Sequence, residues 1–522
     1  MADHVIIGSG INGLVAASLL ALKGDRVTVL EREPVIGGCL RTEELHPGFQ
    51  HDVMAATWVL FMTSPAGAAL TPHLARHGFD YCHSPHPTAV IRPNGETVVL
   101  TTDKTANIAA FNALAPGDGD RFAADTGAIA ADAPFLFALL GGSLWSWPMA
   151  KLMFGQMRKR GMRGLATWFG RALDPARGWL ETTYQSAGVQ ALLAPWVLHT
   201  GLTPESAYSG QMGRVIAFAF EAAGAPIAKG GSGAAAQSFR RLIEEKGGTV
   251  RTGADVERIN VRNDRVTGVT LSDGEVITAG SVLASVAPVQ LYERLLGNDS
   301  SLASLVTPDQ SAAQKFRYGR GNFQLHYALD AVPEWLPPGL DEVALVHLAD
   351  GIDSVSKSAN EAERGMLPAT PTICVGQPSR LDPSRCPPGK AVLWLQIPDA
   401  PRIIKGDAAG EIEGRVWDTV REEFADRIEH ILARYIKGFD KLVLARRAYS
   451  PADLERININ LVGGDPYGGA CSIDQFFIWR PFAHTTNGTS VIKGLIHIGA
   501  STHPGPGLGG GSGYNAAKRL GA

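Results

Sequence analysis

Residues 4–31 read HVIIGSGINGLVAASLLALKGDRVTVLE. His4 to Ile7 is a short apolar run closed by Gly8, which reads as a buried parallel strand, and Leu14 to Lys23 reads as a helix rich in Ala and Leu. Between them Gly8, Gly10 and Gly13 stand in the GxGxxG spacing. The first glycine permits a tight turn, the second lets the backbone approach a pyrophosphate, and the third lets the helix lie close to the strand. The helix N-terminus then turns free N–H groups and a partial positive charge towards the phosphates. A second strand, Arg26 to Leu30, ends at Glu31, at the distance expected of the acid that holds a ribose 2′-hydroxyl; the same carboxylate would repel a phosphorylated ribose. A chance glycine-rich turn would not come with strand, helix, strand and acid in this order. The stretch therefore predicts a dinucleotide-binding unit of Rossmann type in an α/β chain.

Downstream, residues 32–42 read REPVIGGCLRT, where Gly37 and Gly38 can pass close to cofactor phosphates and Arg41 offers a charged donor. A plain NAD fold has no need of this second glycine pair. The segment resembles the second FAD-contacting motif of the flavoenzyme superfamily that includes amine oxidases and carotenoid desaturases. At the other end, a strand-like run from Gly494 enters residues 499–513, GASTHPGPGLGGGSG, followed by a helix-like Tyr514 to Leu520. This turn looks like the C-terminal flavin motif of the phytoene desaturase family, in the branch that holds pyridine nucleotide-disulfide oxidoreductase domain-containing protein 2. The resemblance implies FAD as cofactor. It assigns cofactor contacts to Gly8, Gly10, Gly13, Glu31, Arg32, Gly37, Gly38, Arg41, Thr42, Gly499, Ala500, Gly507, Leu508 and Gly509, and to Val256, whose backbone meets adenine in relatives. No second GxGxxG occurs; Gly230-Gly231-Ser232-Gly233 has no apolar strand ahead of it.

The likeness continues through Thr249 to Ile259, Arg265 to Leu271 and Val276 to Ser285, which look like central FAD-domain strands, and through Gly463 to Pro481; it is weakest between about Thr105 and Ala225. It implies an FAD domain assembled from residues 1–75, 226–300 and 485–522, and a mixed substrate domain from 76–225 and 301–484. In the latter, Asn322 to Leu329, Glu342 to Leu348, Thr370 to Gly376 and Ala391 to Ile397 read as strands. Glu411 to Tyr435 reads as a helix from the spacing of Val416, Val420, Phe424, Ile428, Ile431 and Leu432. An antiparallel sheet walling a pocket, roofed by a helical insertion around 133–180, is the expected plan.

Composition narrows the function. With 48 basic and 51 acidic residues the chain has no excess charge to hold nucleic acid, and 45% hydrophobic residues suffice for a large core. The cysteines, Cys39, Cys82, Cys374, Cys386 and Cys471, are odd in number and contain no CxxC pair, which suits a reducing, cytoplasmic setting. The first residues show no basic segment or cleavage site of a secretory signal. Residues 133–150 carry no charge, although glycines, serines and Pro148 interrupt them; Lys151, Arg158, Lys159, Arg160, Arg163 and Arg171 follow, with Trp145, Trp147, Trp168 and Phe169 interleaved in the segment. Two readings stay open: a peripheral contact with an anionic membrane surface, or a solvated helical cap with its tryptophans turned inward.

Flavin enzymes that dehydrogenate carbon need orientation, a dry pocket and at most one base from the protein. His503, inside the C-terminal turn, is a candidate base or flavin-tuning group, or else an imidazole bonded to a loop carbonyl. Arg480, in Trp479-Arg480-Pro481, is a candidate pocket wall. His51 is placed near the flavin ring, with Asp52 beside it as an alternative helix cap ahead of Val53. No metal site is read: Cys82-His83 with His86 suits a turn, and His73 and His77, on one helix face, lack a metalloprotease glutamate. The expected activity is hydride transfer from an elongated apolar, carotenoid- or lipid-like substrate to FAD, with oxygen or a quinone as acceptor. The alternatives are a flavin-dependent isomerase or saturase, an amine oxidase, and a non-enzymatic carrier of prenylated proteins.

Overall fold

Asp3–Ile7 is the middle strand of a five-stranded sheet whose order is Leu495–Ile498, Ser281–Ser285, Asp3–Ile7, Arg26–Leu30, Thr249–Arg251, every pair parallel. The computed structural model describes residues 2–297 and 302–522. Val5, Ile6 and Ile7 are all buried because both faces of the sheet are covered, as a parallel sheet requires. Ile6, Val29, Leu283 and Ile498 pack under the helices Ile11–Lys23, Ser232–Glu245 and Gly511–Arg519. Val5, Ile7, Val282 and Ala284 face a three-stranded antiparallel sheet, Val256–Arg262, Arg265–Leu271 and Val276–Thr278.

The remainder is built on a seven-stranded mixed sheet ordered Val443–Tyr449, Gly321–Leu329, Ala391–Ala400, Ile373–Gly376, Val343–Leu348, His86–Ile91, Thr97–Leu100. Only Val343–Leu348 and His86–Ile91 run parallel. Period-two alternation divides its faces: Phe323, Leu325 and Tyr327 pack against the helix Trp417–Leu432, while Asn322, Gln324 and His326 point the other way, towards the first sheet. Part of that second face is closed by the helical insertion, through Trp179, Leu180, Trp196 and Phe220.

Several boundaries differ from the sequence reading. The first helix begins at Ile11 rather than Leu14, so Gly13 lies in its first turn. Thr249 to Ile259 is two strands, broken where the chain leaves the parallel sheet, and Val276 to Ser285 is likewise two. The long helix is Trp417–Leu432, shorter at both ends than its apolar spacing suggested. The domain boundary read at 300/301 lies outside the described residues.

The insertion projects a pair of long helices, Asp118–Gly141 and Trp147–Ala172, the latter kinked at Gly161. By length and composition the first could cross a membrane. It is nonetheless fastened to the domain: buried Asp118 accepts hydrogen bonds from the Gln185 and Ser186 amides, and Ile129 and Leu136 pack against Val215. Around the second helix Trp145, Trp147, Phe154 and Met162 are exposed, Trp147 by 74%.

Candidate functional site

The glycine motif forms an open cradle. Gly8, at φ +89, turns the chain so that its N–H meets the Leu30 carbonyl, 2.8 Å away. Gly10 forms an isolated parallel bridge with Gly37, and a Cβ on Gly38 would lie 3.2 Å from the Gly10 Cα, so the two glycine pairs meet. A Cβ on Gly10 would find nothing within 4 Å: the space beside it is empty. The helix behind has no side-chain cap at Gly10, leaving its first-turn N–H groups without protein acceptors. Ser9 links the parts, its Oγ donating to Glu31 Oε2 at 2.6 Å and accepting from the Gly37 amide at 2.9 Å. The Ser9 and Glu33 amides also donate to the buried Glu31 carboxylate, which fixes it at the end of its strand.

The last turn is stitched onto the first. Ser512 Oγ accepts from the Gly499 amide and donates to Asn12 Oδ1, and the Gly513 amide also reaches Asn12. A Cβ on Gly513 would stand 1.9 Å from the Asn12 carbonyl oxygen, so only glycine lets these two helices approach so closely.

A long cavity runs from this cradle to the seven-stranded sheet. Its lining includes Gly8, Gly10, Glu31, Arg32, Gly37, Gly38, Arg41, Val256, Gly499, Ala500, Gly507 and Leu508. Three of the assigned contacts stand outside it. Gly13 is a packing residue, for its Cβ would meet the Gly8 carbonyl oxygen at 2.2 Å. Thr42 Oγ1 donates to Asp52 and accepts from the Gly233 amide, locking the hairpin Thr42–His46/Phe49–Asp52 to the helix Ser232–Glu245. Gly509 lies over Leu60 and Ser64. At the far end the sheet presents Asn322, Gln324 and Gln396, whose amides make no hydrogen bond to the described residues. Sequence reasoning missed these, since an amide in a strand carries no motif; Ser9 and Asn12 lay within the quoted motif, at its variable positions.

None of the three candidate catalytic side chains lines the cavity. His503 Nε2 meets the Gly142 carbonyl at 2.8 Å, the loop-carbonyl alternative, and burial holds its pKa down at about 4. Arg480 is buried and turned inward, where its guanidinium donates to the carbonyls of Ala500, Tyr467 and Ala470 and so braces the C-terminal turn. It is not a pocket wall. His51 is packed edge-on against His326 with ring centroids 5.4 Å apart, and its pKa falls to about 3, chiefly through burial and secondarily through Arg385. Asp52 caps no helix at Val53; it ends a strand, pairs with buried Arg385 at 2.8 Å and accepts from the Ser232 amide, at the start of a helix distant in sequence. Cys39 does line the cavity, but burial pushes its thiol up to about 11, so it stays protonated. The sequence's metal candidates are dispersed: His86 faces Glu342, His83 stacks on Tyr81, and His77, beyond the end of the helix carrying His73, pairs with Glu245.

Residues 11–450 match the family described as flavin containing amine oxidoreductase. The chain belongs to that family. This flavoenzyme is 28% identical to mouse pyridine nucleotide-disulfide oxidoreductase domain-containing protein 2, over 99% of the chain and 92% of that protein. It is 27% identical to the hydroxyneurosporene desaturase of Rubrivivax gelatinosus, over 97% and 90% of the two chains. Against the zeta-carotene-forming phytoene desaturase of Myxococcus xanthus it is 28% identical over 62% of the chain and 57% of the relative. Its fold matches a solved oxidoreductase from Methanosarcina mazei with TM-score 0.63 at 16% identity, covering 99% and 100% of the chains. The flavoenzyme is an FAD-dependent oxidoreductase.

The cradle suits that cofactor. The empty space at Gly10 and the uncapped helix N-terminus fit a pyrophosphate, and Glu31, already oriented by three donors, keeps a lone pair on Oε1 for a ribose hydroxyl. Gly37, Gly38 and the 499–508 turn line the continuation of the cavity.

Proposed function

We propose that this flavoenzyme dehydrogenates an elongated apolar, carotenoid- or lipid-like substrate, with oxygen or a quinone as the final acceptor. The observation that carries this reading is the composition of the cavity wall. No aromatic residue, lysine or histidine lines the cavity among the described residues, and its charged groups, Glu31, Arg32, Glu33, Arg41, Asp255 and Arg294, all stand on the cofactor-binding segments. The second sheet supplies the neutral amides Asn322, Gln324 and Gln396, and the loops beside it add Leu454, Ile457, Ile459 and Leu461 with Asn458 and Asn460, so this wall carries no charge. A cationic amine would need a carboxylate or aromatic faces to meet its ammonium, and that wall offers neither. FAD bound in the cradle supplies the hydride acceptor. The chain contributes anchoring of the cofactor at Gly10 and Glu31, an uncharged wall, and amides that orient a neutral substrate. The names of the hydroxyneurosporene and phytoene desaturases point the same way.

Such a substrate resides in a lipid phase. The kinked helix Trp147–Ala172 suits peripheral contact from the cytoplasm, for it exposes Trp147, Phe154 and Met162 beside Lys151, Arg158, Lys159 and Arg163, bases with no acidic partner among the described residues. The test is anaerobic titration of the holoenzyme with polyenes, other apolar lipids and amines while the visible flavin band is followed. Bleaching by a polyene or lipid and none by amines is the expected result; bleaching by amines alone would overturn the reading.

A further inference from the structure

A compact cluster of metal-ligating groups lies away from the cofactor cradle. We propose that His199, His347 and Cys374 form a binding site for a d10 cation of the zinc class. His347 on Val343–Leu348 and Cys374 on Ile373–Gly376 are direct partners in antiparallel register, so their side chains leave the same face of the sheet. His199 descends onto that face from the short turn Ala194–Thr200 of the helical insertion. The two Nε2 atoms lie 3.0 Å apart, and the ligand atoms of all three residues fall within 4.8 Å of one another. Tetrahedral bonds of about 2.0–2.3 Å separate their ligand atoms by roughly 3.4 Å, so small rotations bring the trio around one ion.

The surroundings fit a ligand set better than a bare polar contact. His347 and Cys374 are fully buried, the thiol has no hydrogen-bond partner among the described residues, and Trp196 packs its ring 4.7 Å from His199 and 4.5 Å from His347. His199 is the one of the three that is not fully buried, so the cluster meets solvent on its side. Two imidazoles and a thiolate are the donors a zinc-class ion takes, and binding releases the Cys374 proton to solvent. The location gives the site a use. Across the sheet, Cys374 pairs with Gln396 and Gln396 with Gln324, both of which line the cavity. An ion here would pin the insertion to the sheet one strand from the cavity wall.

The test uses the full-length holoenzyme, purified without a histidine tag under reducing conditions, exposed to zinc chloride and then dialysed against a weak chelator. Expected are one zinc per chain by mass spectrometry and an X-ray absorption spectrum with one sulfur near about 2.3 Å and nitrogens near about 2.0–2.1 Å. His199→Ala, the least buried of the three, should lower zinc content at least about tenfold while keeping its flavin band, and Cys374→Ser should remove the sulfur scatterer. Absence of retained zinc in the wild type, zinc without a sulfur neighbour, or undiminished zinc in both variants would each overturn the site.

Discussion

A Cβ placed on Gly13 would stand 2.2 Å from the carbonyl oxygen of Gly8, whereas one placed on Gly10 would meet nothing within 4 Å. The two glycines of one motif therefore do different work: Gly13 lets the first helix lie against the strand, and Gly10 keeps the cavity beside it open. Gly10 has φ −63, which any residue adopts, so Gly10→Val should fold normally and emerge without flavin. Gly13→Val drives a side chain into backbone and should destabilise the apoprotein, by about 1–3 kcal/mol or more. Thermal melts of apoprotein and the ratio of visible to ultraviolet absorbance separate the two outcomes. A Gly10→Val protein with full flavin content would refute this placement of the pyrophosphate.

Arg480 acts through the backbone it holds. Its donors reach Ala500, Tyr467 and Ala470, while buried Asp465 accepts the Gly319, Tyr467 and Gly469 amides, so opposite charges grip the same loop beside the flavin turn. Arg480→Met should cost at least about 1–3 kcal/mol in denaturant unfolding, since it leaves buried carbonyls without their donors. Flavin content should fall in parallel. Arg480→Lys should restore little, because one ammonium cannot span the carbonyls a guanidinium fork reaches. A stable, flavin-loaded Arg480→Met protein lacking turnover would instead make this a substrate-contacting residue.

Much of the cofactor half was legible because its signals are local. The strand, glycines, helix and Glu31 all fall within 28 residues, and the C-terminal turn is dense in glycine for the same reason of close approach. The direction of the candidate catalytic side chains is not legible in the sequence, because position near a motif says nothing about where a side chain points. His503 lies inside the flavin turn yet points to Gly142, and Arg480 precedes the last strand yet faces inward. Asp52 looked like a local cap, and its partners, Ser232 and Arg385, are remote in sequence. The row Gln324, Gln396, Cys374, His347 exists only through strand register and could not be seen in one dimension.

Buried imidazoles should make the protein acid-labile. Burial lowers His51 to about 3 and His497 and His503 to about 4, against 6.5 for an exposed imidazole. Between those values the unfolded chain binds more protons than the folded one, so stability is full above pH 6.5 and falls as the pH drops towards 4. From about pH 6.5 to near pH 5 each contributes a loss of up to about 2 kcal/mol. Denaturant unfolding across that interval should show a steep decline. His503→Gln, which can keep a donor near the Gly142 carbonyl and does not titrate, should flatten the profile by one proton.

Four exposed bases on the kinked helix, Lys151, Arg158, Lys159 and Arg163, have no acidic partner among the described residues, whereas Arg160 pairs with Asp132 and lies over the Trp168 ring. Changing those four to Gln, with Arg160 kept, removes attraction of about 1 kcal/mol each towards an anionic surface without disturbing the helix pair. Co-sedimentation with anionic lipid vesicles should fall sharply, and added salt should weaken the wild type in the same way. Trp147→Ala should weaken binding to neutral vesicles as well, since that ring is 74% exposed and contributes apolar area rather than charge. The tip of the helix pair is tied to the flavin turn and its flanking segments: His503 donates to the Gly142 carbonyl, Asn515 to Gly141 and Asn487 to Trp145. Vesicle binding should therefore perturb the flavin spectrum of the wild type and not of the four-fold variant. Unchanged sedimentation of that variant would leave the helix pair as a solvated cap on the insertion.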